Sequence, residues 1–116
     1  MLKILEEVRG IIAMASSKEY LHFIINQLSD LEGITYRTMM GEYIIYYGEK
    51  IVGGIYDNRL LVKPVEAILP LLSNIRYELP YEGAKEMLLI EDVQNKELLK
   101  KLFSALYEHL PTPKKK

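Results

Sequence analysis

One segment constrains the fold more than any other part of the chain: residues 36–64, with the sequence YRTMMGEYIIYYGEKIVGGIYDNRLLVKP. Two clusters of turn-forming residues, Gly48-Glu49-Lys50 and Asp57-Asn58-Arg59, divide it into three short runs rich in Ile, Val, Tyr and Leu. Such runs, separated by such turns, are typical of strands joined by hairpins. The segment therefore predicts a meander of antiparallel strands.

A helix is predicted ahead of this meander. Ser16-Ser17-Lys18-Glu19 matches a capping box, with Ser16 as the N-cap residue. Apolar residues then recur at helical spacing, and the helix should end between Leu31 and Gly33. The strands that follow are predicted at 34–39, 42–47, 51–56 and 60–63, with Gly41 as a turn or bulge residue between the first two.

The second half adds a short helix, two strands and a long helix. Pro64 suits the first turn of a helix over 65–72, which Pro70 should shorten or kink. Strands are predicted at 75–79 and 86–91. The second of these lacks polar alternation, which predicts a central strand buried on both faces. A broad apolar stripe predicts the last helix at 95–110.

This order of elements predicts an α+β domain. We expect an antiparallel meander sheet of about five to six strands with helices packed on one face, in the order α-β(3-4)-α-β(2)-α. A doubly wound βαβ architecture is excluded. Residues 14–110 are expected to form one domain and 111–116 a basic tail. Residues 1–13 are expected to be an upstream extension or, as the alternative, an extra helix.

Composition and charge exclude several classes of function. The chain has no cysteine, which excludes thiol catalysis, disulfides and cysteine-based metal sites. Its formal net charge of −1 gives no strong field for nucleic acid or an anionic membrane. Hydrophobic residues at 49% and charged residues at 27% are typical of a globular domain. We therefore expect a cytoplasmic protein that binds neither membrane nor nucleic acid directly.

The sequence contains no recognisable catalytic constellation. His22 is on a polar helix face and His109 is at a helix C-terminus, and neither has a partner at ligand-like spacing. Neither GxGxxG nor GxxxxGK[ST] occurs, and no serine has a nucleophile-elbow context. The sequence therefore predicts a non-enzymatic protein without a metal or a cofactor.

Candidate ligand or partner contacts lie at predicted strand ends, in turns and on the open side of the sheet: Arg37, Met40, Glu42, Tyr46, Lys63, Tyr81 and Glu82. Arg37 and Lys63 could together hold an anionic group, Arg through its planar fork and Lys as a point charge. Alternatively, these charges are solvated or form weak ion pairs, such as Arg37 with Glu42. Gly53 and Gly54 are compatible with close ligand approach, a bulge or tight helix packing.

Several short motifs, in this order and spacing, carry a family resemblance: Arg37-Thr38-Met39-Met40-Gly41-Glu42-Tyr43, Tyr46-Tyr47-Gly48, Gly53-Gly54-Ile55-Tyr56-Asp57, Leu61-Val62-Lys63 and Leu79-Pro80-Tyr81. From about Met14 onward the chain resembles the N-terminal domain of the TfoX competence-regulator family. The resemblance implies a role in regulating genes for DNA uptake. Two features differ: Met40 stands where the family often has an aromatic residue, and the separate C-terminal TfoX domain is absent. A stand-alone domain with another role is therefore the alternative.

Two functions remain open from the sequence. The first is an interaction or regulatory module that contacts a second copy, as a homodimer, or another protein through the uncovered sheet face or a strand edge. The alternative is a small domain that binds an anionic ligand or a nucleotide through Arg37, Lys63 and the Tyr81-Glu82 turn.

Overall fold

The computed structural model describes residues 16–111. In chain order they form helix α1 (Lys18–Gln27), strands β1 (Ile34–Met39), β2 (Glu42–Tyr47), β3 (Lys50–Tyr56) and β4 (Arg59–Val62), a 3-10 helix (Glu66–Leu71), strands β5 (Tyr77–Glu78) and β6 (Met87–Ile90), and helix α2 (Lys96–His109). The strands form one antiparallel sheet in the order β1-β2-β3-β4-β6-β5. This arrangement confirms the predicted α+β class and the meander.

Two-residue turns join the first four strands and fix their register. Both residues have positive φ in Met40-Gly41 (52° and 85°) and in Asp57-Asn58 (52° and 56°), as type I′ turns require. In Gly48-Glu49 only the glycine has positive φ, 62°, as in a type II′ turn. These turn types match the twist of adjacent antiparallel strands, so each turn sets which residues face each other across the sheet.

The helices cover one face of the sheet, and the core lies between them. The residues that the helices and the C-cap of α1 contribute to this core are all buried to 1% exposure or less: Leu21, Ile24, Leu28, Ile68, Leu99, Leu102, Phe103 and Leu106. They pack on alternate strand residues, among them Tyr43, Ile45 and Ile55. Packing of the helices on one face is therefore as predicted, and the other strand residues point to the opposite face.

Strand β3 contains a bulge that explains Gly53. Ile45 pairs with Gly53 while the next residue, Tyr46, pairs with Ile51, so Val52 is the extra residue in β3. A Cβ on Gly53 would lie 2.3 Å from the carbonyl oxygen of Leu61. Of the explanations open from the sequence for Gly53, the bulge is the one found, together with close contact to the β4 backbone.

Helix α1 begins one residue later and ends about four residues earlier than predicted. Ser17 rather than Ser16 is the N-cap, and its Oγ accepts a hydrogen bond of 3.1 Å from the N–H of Tyr20. Ser16 contacts the sheet instead. The helix ends at Gln27, before the predicted Leu31, because Leu28 leaves helical geometry at φ −99° and ψ 12° and begins a turn.

The second half follows the predicted order with shorter elements. The predicted helix at 65–72 is a 3-10 helix that contains Pro70. Strand β6 lies between β4 and β5, as predicted for an interior strand, but its predicted burial on both faces is wrong. Leu88 and Ile90 are buried, whereas Met87 and Leu89 are half-buried because none of the helices within residues 16–111 covers their side of the sheet.

Two predictions concern segments that the structure does not describe. The segment 1–13 lies outside the described residues, and so does all of the basic tail except Pro111. Within residues 16–111, no helix has the length and apolar character needed to span a bilayer.

The bulge yields a test of the fold. We expect Gly53→Ala to lower the free energy of unfolding by about 2 kcal/mol or more, because the added methyl group overlaps the β4 backbone. Gly83→Ala is the comparison: it has open space, so it carries only the backbone strain of its φ of +87°, about 1–2 kcal/mol, and no steric overlap. Chemical denaturation measures both, and equal losses would contradict the role of the bulge.

Candidate functional site

The face of the sheet opposite the helices is the candidate functional surface, and we call it the outer face. Strand pairing places Arg37, Ile44, Gly54, Leu61 and Leu89 side by side in one row across five strands. Core residues flank Ile44, Gly54, Leu61 and Leu89 in sequence, so these four residues, and Arg37 paired with Ile44, point away from the helices. The outer face therefore brings together residues from most of the chain.

Arg37 lies in the middle of β1 on the outer face, not at a strand end. Its guanidinium carbon lies 5.8 Å from the centre of the Tyr46 ring, within the range of a cation–π contact. Strands β2 and β3 separate β1 from β4, which puts the row position of Arg37 about 14 Å from β4. The structure does not bring Arg37 together with Lys63, which follows β4.

Glu42 holds the two ends of the meander together. Its Oε1 accepts a 2.6 Å hydrogen bond from the Ser16 hydroxyl, and its carboxylate also accepts from the N–H of Asp57 at 3.3 and 3.4 Å. The Ser16 Oγ in turn accepts from the N–H of Asn58 at 3.0 Å. The Asn58 side chain closes the set, since its Oδ1 accepts from the N–H of Ser17 at 2.9 Å. We call Ser16, Glu42 and Asn58 the clamp.

The clamp gives Glu42 a structural role. It ties the start of α1 to two hairpins that lie 26 and 42 residues away in sequence. Ser16 is the one buried polar or charged residue among 16–111, at 7% exposure, so its hydrogen bonds replace those that it would make with water. The predicted ion pair of Arg37 with Glu42 is not among the ion pairs of the described residues.

Met40 is at the tip of the first turn. It is 96% exposed, and its φ of 52° is uncommon for a residue with a flexible apolar side chain. It packs neither in the core nor on the outer face. An apolar residue in this position is available for contact with another molecule.

A cleft of about 610 Å³ lies between the outer face and the loop at 79–86. Lys63, Tyr81, Lys85 and Met87 contribute to its lining. Two predicted site residues, Lys63 and Tyr81, are therefore brought together. Glu82 lies in the same loop but is exposed and does not line the cleft.

Tyr56 forms part of the wall of this cleft. Its side chain lies across Gly54, where an added Cβ would lie 2.7 Å from the ring, and its ring centre is 6.2 Å from that of Tyr81. Burial, followed by the neighbouring Tyr81 and Glu42, raises the pKa of the Tyr56 hydroxyl above its ordinary value. The hydroxyl is therefore protonated at neutral pH and can donate a hydrogen bond.

An ion-pair network on the outer face borders the cleft. Arg59 and Arg76 both bind Glu78, at 2.6 and 2.8 Å, and Arg76 also lies 3.3 Å from Glu91. Arg59 also donates to the carbonyl of Leu79 at 3.3 Å, so the network holds the start of the 79–86 loop. None of these residues was predicted as a site residue from the sequence. The opposite charges of Arg76 and Glu78, two residues apart on one strand face, were a signal for an ion pair.

The two histidines have separate environments. His22 is exposed on α1, while His109 at the end of α2 has its Nδ1 3.0 Å from the carbonyl oxygen of Ala105. Within residues 16–111, no cluster of three or more His, Asp or Glu side chains is arranged to hold a metal ion. The absence of catalysis remains a prediction from the sequence.

Comparison with known proteins identifies a relative. The chain is 33% identical over 102 residues to the uncharacterized 12.7 kDa protein in the trpE 5′ region of Spirochaeta aurantia. The match covers 87% of this chain and 89% of the relative. The chain belongs to the family of that protein. No family model and no solved structure matches the chain, so the TfoX resemblance stays a prediction.

The clamp can be tested by removing the Ser16 hydroxyl. We expect Ser16→Ala to lower the free energy of unfolding by about 1–2 kcal/mol, because the N–H of Asn58 and the Glu42 carboxylate lose a partner in a partly buried site. Ser104→Ala, on the helix α2, should change it by less than about 0.5 kcal/mol. Urea denaturation of both variants gives the comparison, and a neutral Ser16→Ala would show that the clamp adds no stability.

The pKa of Tyr56 predicts a dependence of stability on alkaline pH. Below pH 10.0, the ordinary tyrosine pKa, the hydroxyl is protonated in both states and contributes its full share of stability. Above it, the unfolded state ionises first, which favours unfolding. The unfolding free energy of the wild type minus that of Tyr56→Phe should therefore be constant at neutral pH and fall above pH 10. A difference that rises there would contradict the raised pKa.

Proposed function

We propose that this protein is a non-enzymatic interaction module that forms a homodimer by pairing strand β1 with β1 of a second copy. The observation that supports it is the exposed edge of β1. Every residue of β1 after Ile34 is exposed, and the strand contains neither proline nor lysine; its one charged side chain, Arg37, lies against the Tyr46 ring. The opposite edge, β5, is only two residues long.

The free edge of β1 has a defined set of hydrogen-bonding groups. Met39 and Glu42 close a two-residue turn and so bond to each other, and the N–H of Gly48 donates to the carbonyl of Gly33 at 2.9 Å. Odd-numbered residues of β1 therefore bond to β2. The N–H and C=O groups of the even-numbered residues Ile34, Tyr36 and Thr38 point to the free edge.

One symmetric register satisfies all of these groups. If Tyr36 pairs with Tyr36 of the second copy, Ile34 faces Thr38 of that copy and each free group gains a partner. Arg37 then faces Thr35 of the second copy, so the like charges do not lie directly opposite each other. The dimer would have a continuous sheet of twelve strands.

A regulatory role is compatible with such a module. The TfoX resemblance implies a regulator, and this chain would provide the protein–protein contacts of such a regulator in the cytoplasm. The exposed Met40 lies beside the proposed dimer edge, where it is available to a further protein.

The dimer can be tested by light scattering. We expect the wild type to be a dimer at tens of micromolar (a typical range for a modest interface) and Thr38→Pro to raise the dissociation constant at least about thirtyfold, because the variant lacks an edge N–H in each copy. Thr38→Val keeps the amide and should remain a dimer. Circular dichroism confirms that the variants are folded.

A second variant covers the case in which Thr38→Pro fails to fold. Tyr36→Glu places two carboxylates opposite each other at the symmetry axis and should also give a monomer. A wild type that is monomeric at every concentration, or a Tyr36→Glu variant that dimerises as the wild type does, would refute the proposal.

A further inference from the structure

We propose that the cleft beneath the 79–86 loop binds a small organic anion, with a carboxylate or phosphomonoester head group and a flat apolar body. This site is distinct from β1: it lies over β3 and β4, on the other side of β2 from the dimer edge. The inference does not depend on the proposed dimer.

The cleft has the dimensions and lining of a ligand site. Its volume of about 610 Å³ lies within the range of small-molecule pockets, roughly 300–1,000 Å³. Ile51 and Met87 provide apolar contacts in its lining. Tyr56 and Tyr81 add aromatic surface. A flat apolar group fits this combination of walls.

The Tyr56 hydroxyl supplies the strongest indication of a ligand. Tyr56 is 7% exposed, and within residues 16–111 its hydroxyl makes no hydrogen bond; its backbone carbonyl is the group that accepts from Arg59 Nε, at 3.0 Å. The hydroxyl of a buried tyrosine usually has a partner. An acceptor on a ligand in the cleft would satisfy it.

The charges in the cleft favour an anion. Lys63 and Lys85 contribute ammonium groups, and Glu86 is the one carboxylate in the lining. Neither lysine belongs to an ion pair among the described residues. Arg59 and Arg76, by contrast, are both engaged by Glu78 on the same face. Two ammonium groups and one carboxylate give the lining of the cleft a net positive charge, which favours an anionic ligand.

The three features select one chemical class. A donor hydroxyl and two ammonium groups require acceptor oxygens with negative charge, which a carboxylate and a phosphomonoester both supply. The apolar walls require a hydrophobic body, which inorganic phosphate lacks. The cleft should therefore bind an aromatic anion better than either its neutral analogue or the free anion.

The experiment compares four probes by isothermal titration calorimetry. 2-Naphthoate and 2-naphthyl phosphate carry the two head groups, 2-naphthamide is the neutral analogue, and inorganic phosphate lacks the apolar body. We expect one or both aromatic anions to bind with a dissociation constant between about 10 µM and 1 mM, and each control at least about tenfold more weakly. The stronger of the two anions identifies the head group.

Three variants assign the binding to this cleft. We expect Tyr56→Phe and Lys63→Gln each to weaken binding by about tenfold, because each removes one contact to the head group. Lys101→Gln, on the exposed side of α2, should bind as the wild type does. If Lys63→Gln is unstable in a thermal melt, Lys85→Gln in the exposed loop replaces it.

The outcomes separate this site from the dimer. Binding to the Tyr36→Glu variant should equal binding to the wild type, whatever the oligomeric state. The proposal is overturned if neither aromatic anion binds at about 5 mM, if 2-naphthamide binds equally well, or if Tyr56→Phe leaves the dissociation constant unchanged.

Discussion

Three two-residue turns with positive φ determine which residues of this protein can meet. Each turn joins its strands without slack, and together with the bulge at Val52 the turns set the register across β1 to β4. A shift by one residue would place Ile45 and Ile55 on the outer face and break the core beneath α1 and α2. The same register aligns the outer row from Arg37 to Leu89. The strand register therefore determines both the helix-covered core and the outer face.

The sequence predicted those parts of the fold that depend on neighbours in the chain. The limits of β1 and β2 were correct because Met40-Gly41 and Gly48-Glu49 are local turn signals next to alternating residues. The role of Ser16 was not predictable, because its hydrogen-bond partners lie 26 and 42 residues away in sequence. The local motif Ser16-Ser17-Lys18-Glu19 was equally consistent with a capping box. Tertiary contact moved the cap to Ser17.

The candidate site shows the same limit. Lys63 was identified at a predicted strand end and Tyr81 in a predicted turn, and the structure brings them together in the cleft. Arg37 and Lys63 were expected to converge, but convergence depends on how many strands intervene, and β2 and β3 lie between them. Tyr56 was named only as part of a motif that carries the family resemblance. The side chain of Tyr56 is covered by the 79–86 loop, which joins β5 to β6. This contact is distant in sequence and could not be predicted from the residues around Tyr56.

The clamp also bears on the order in which the molecule assembles. The hairpins of the meander need only contacts between adjacent segments, which form early because little chain entropy is lost in closing short loops. The Ser16 hydroxyl can meet Glu42 and Asn58 only after both hairpin turns exist. Interactions that form after the folding transition state act chiefly on the rate of unfolding. This one hydroxyl should therefore govern how long the native state persists rather than how quickly it is reached.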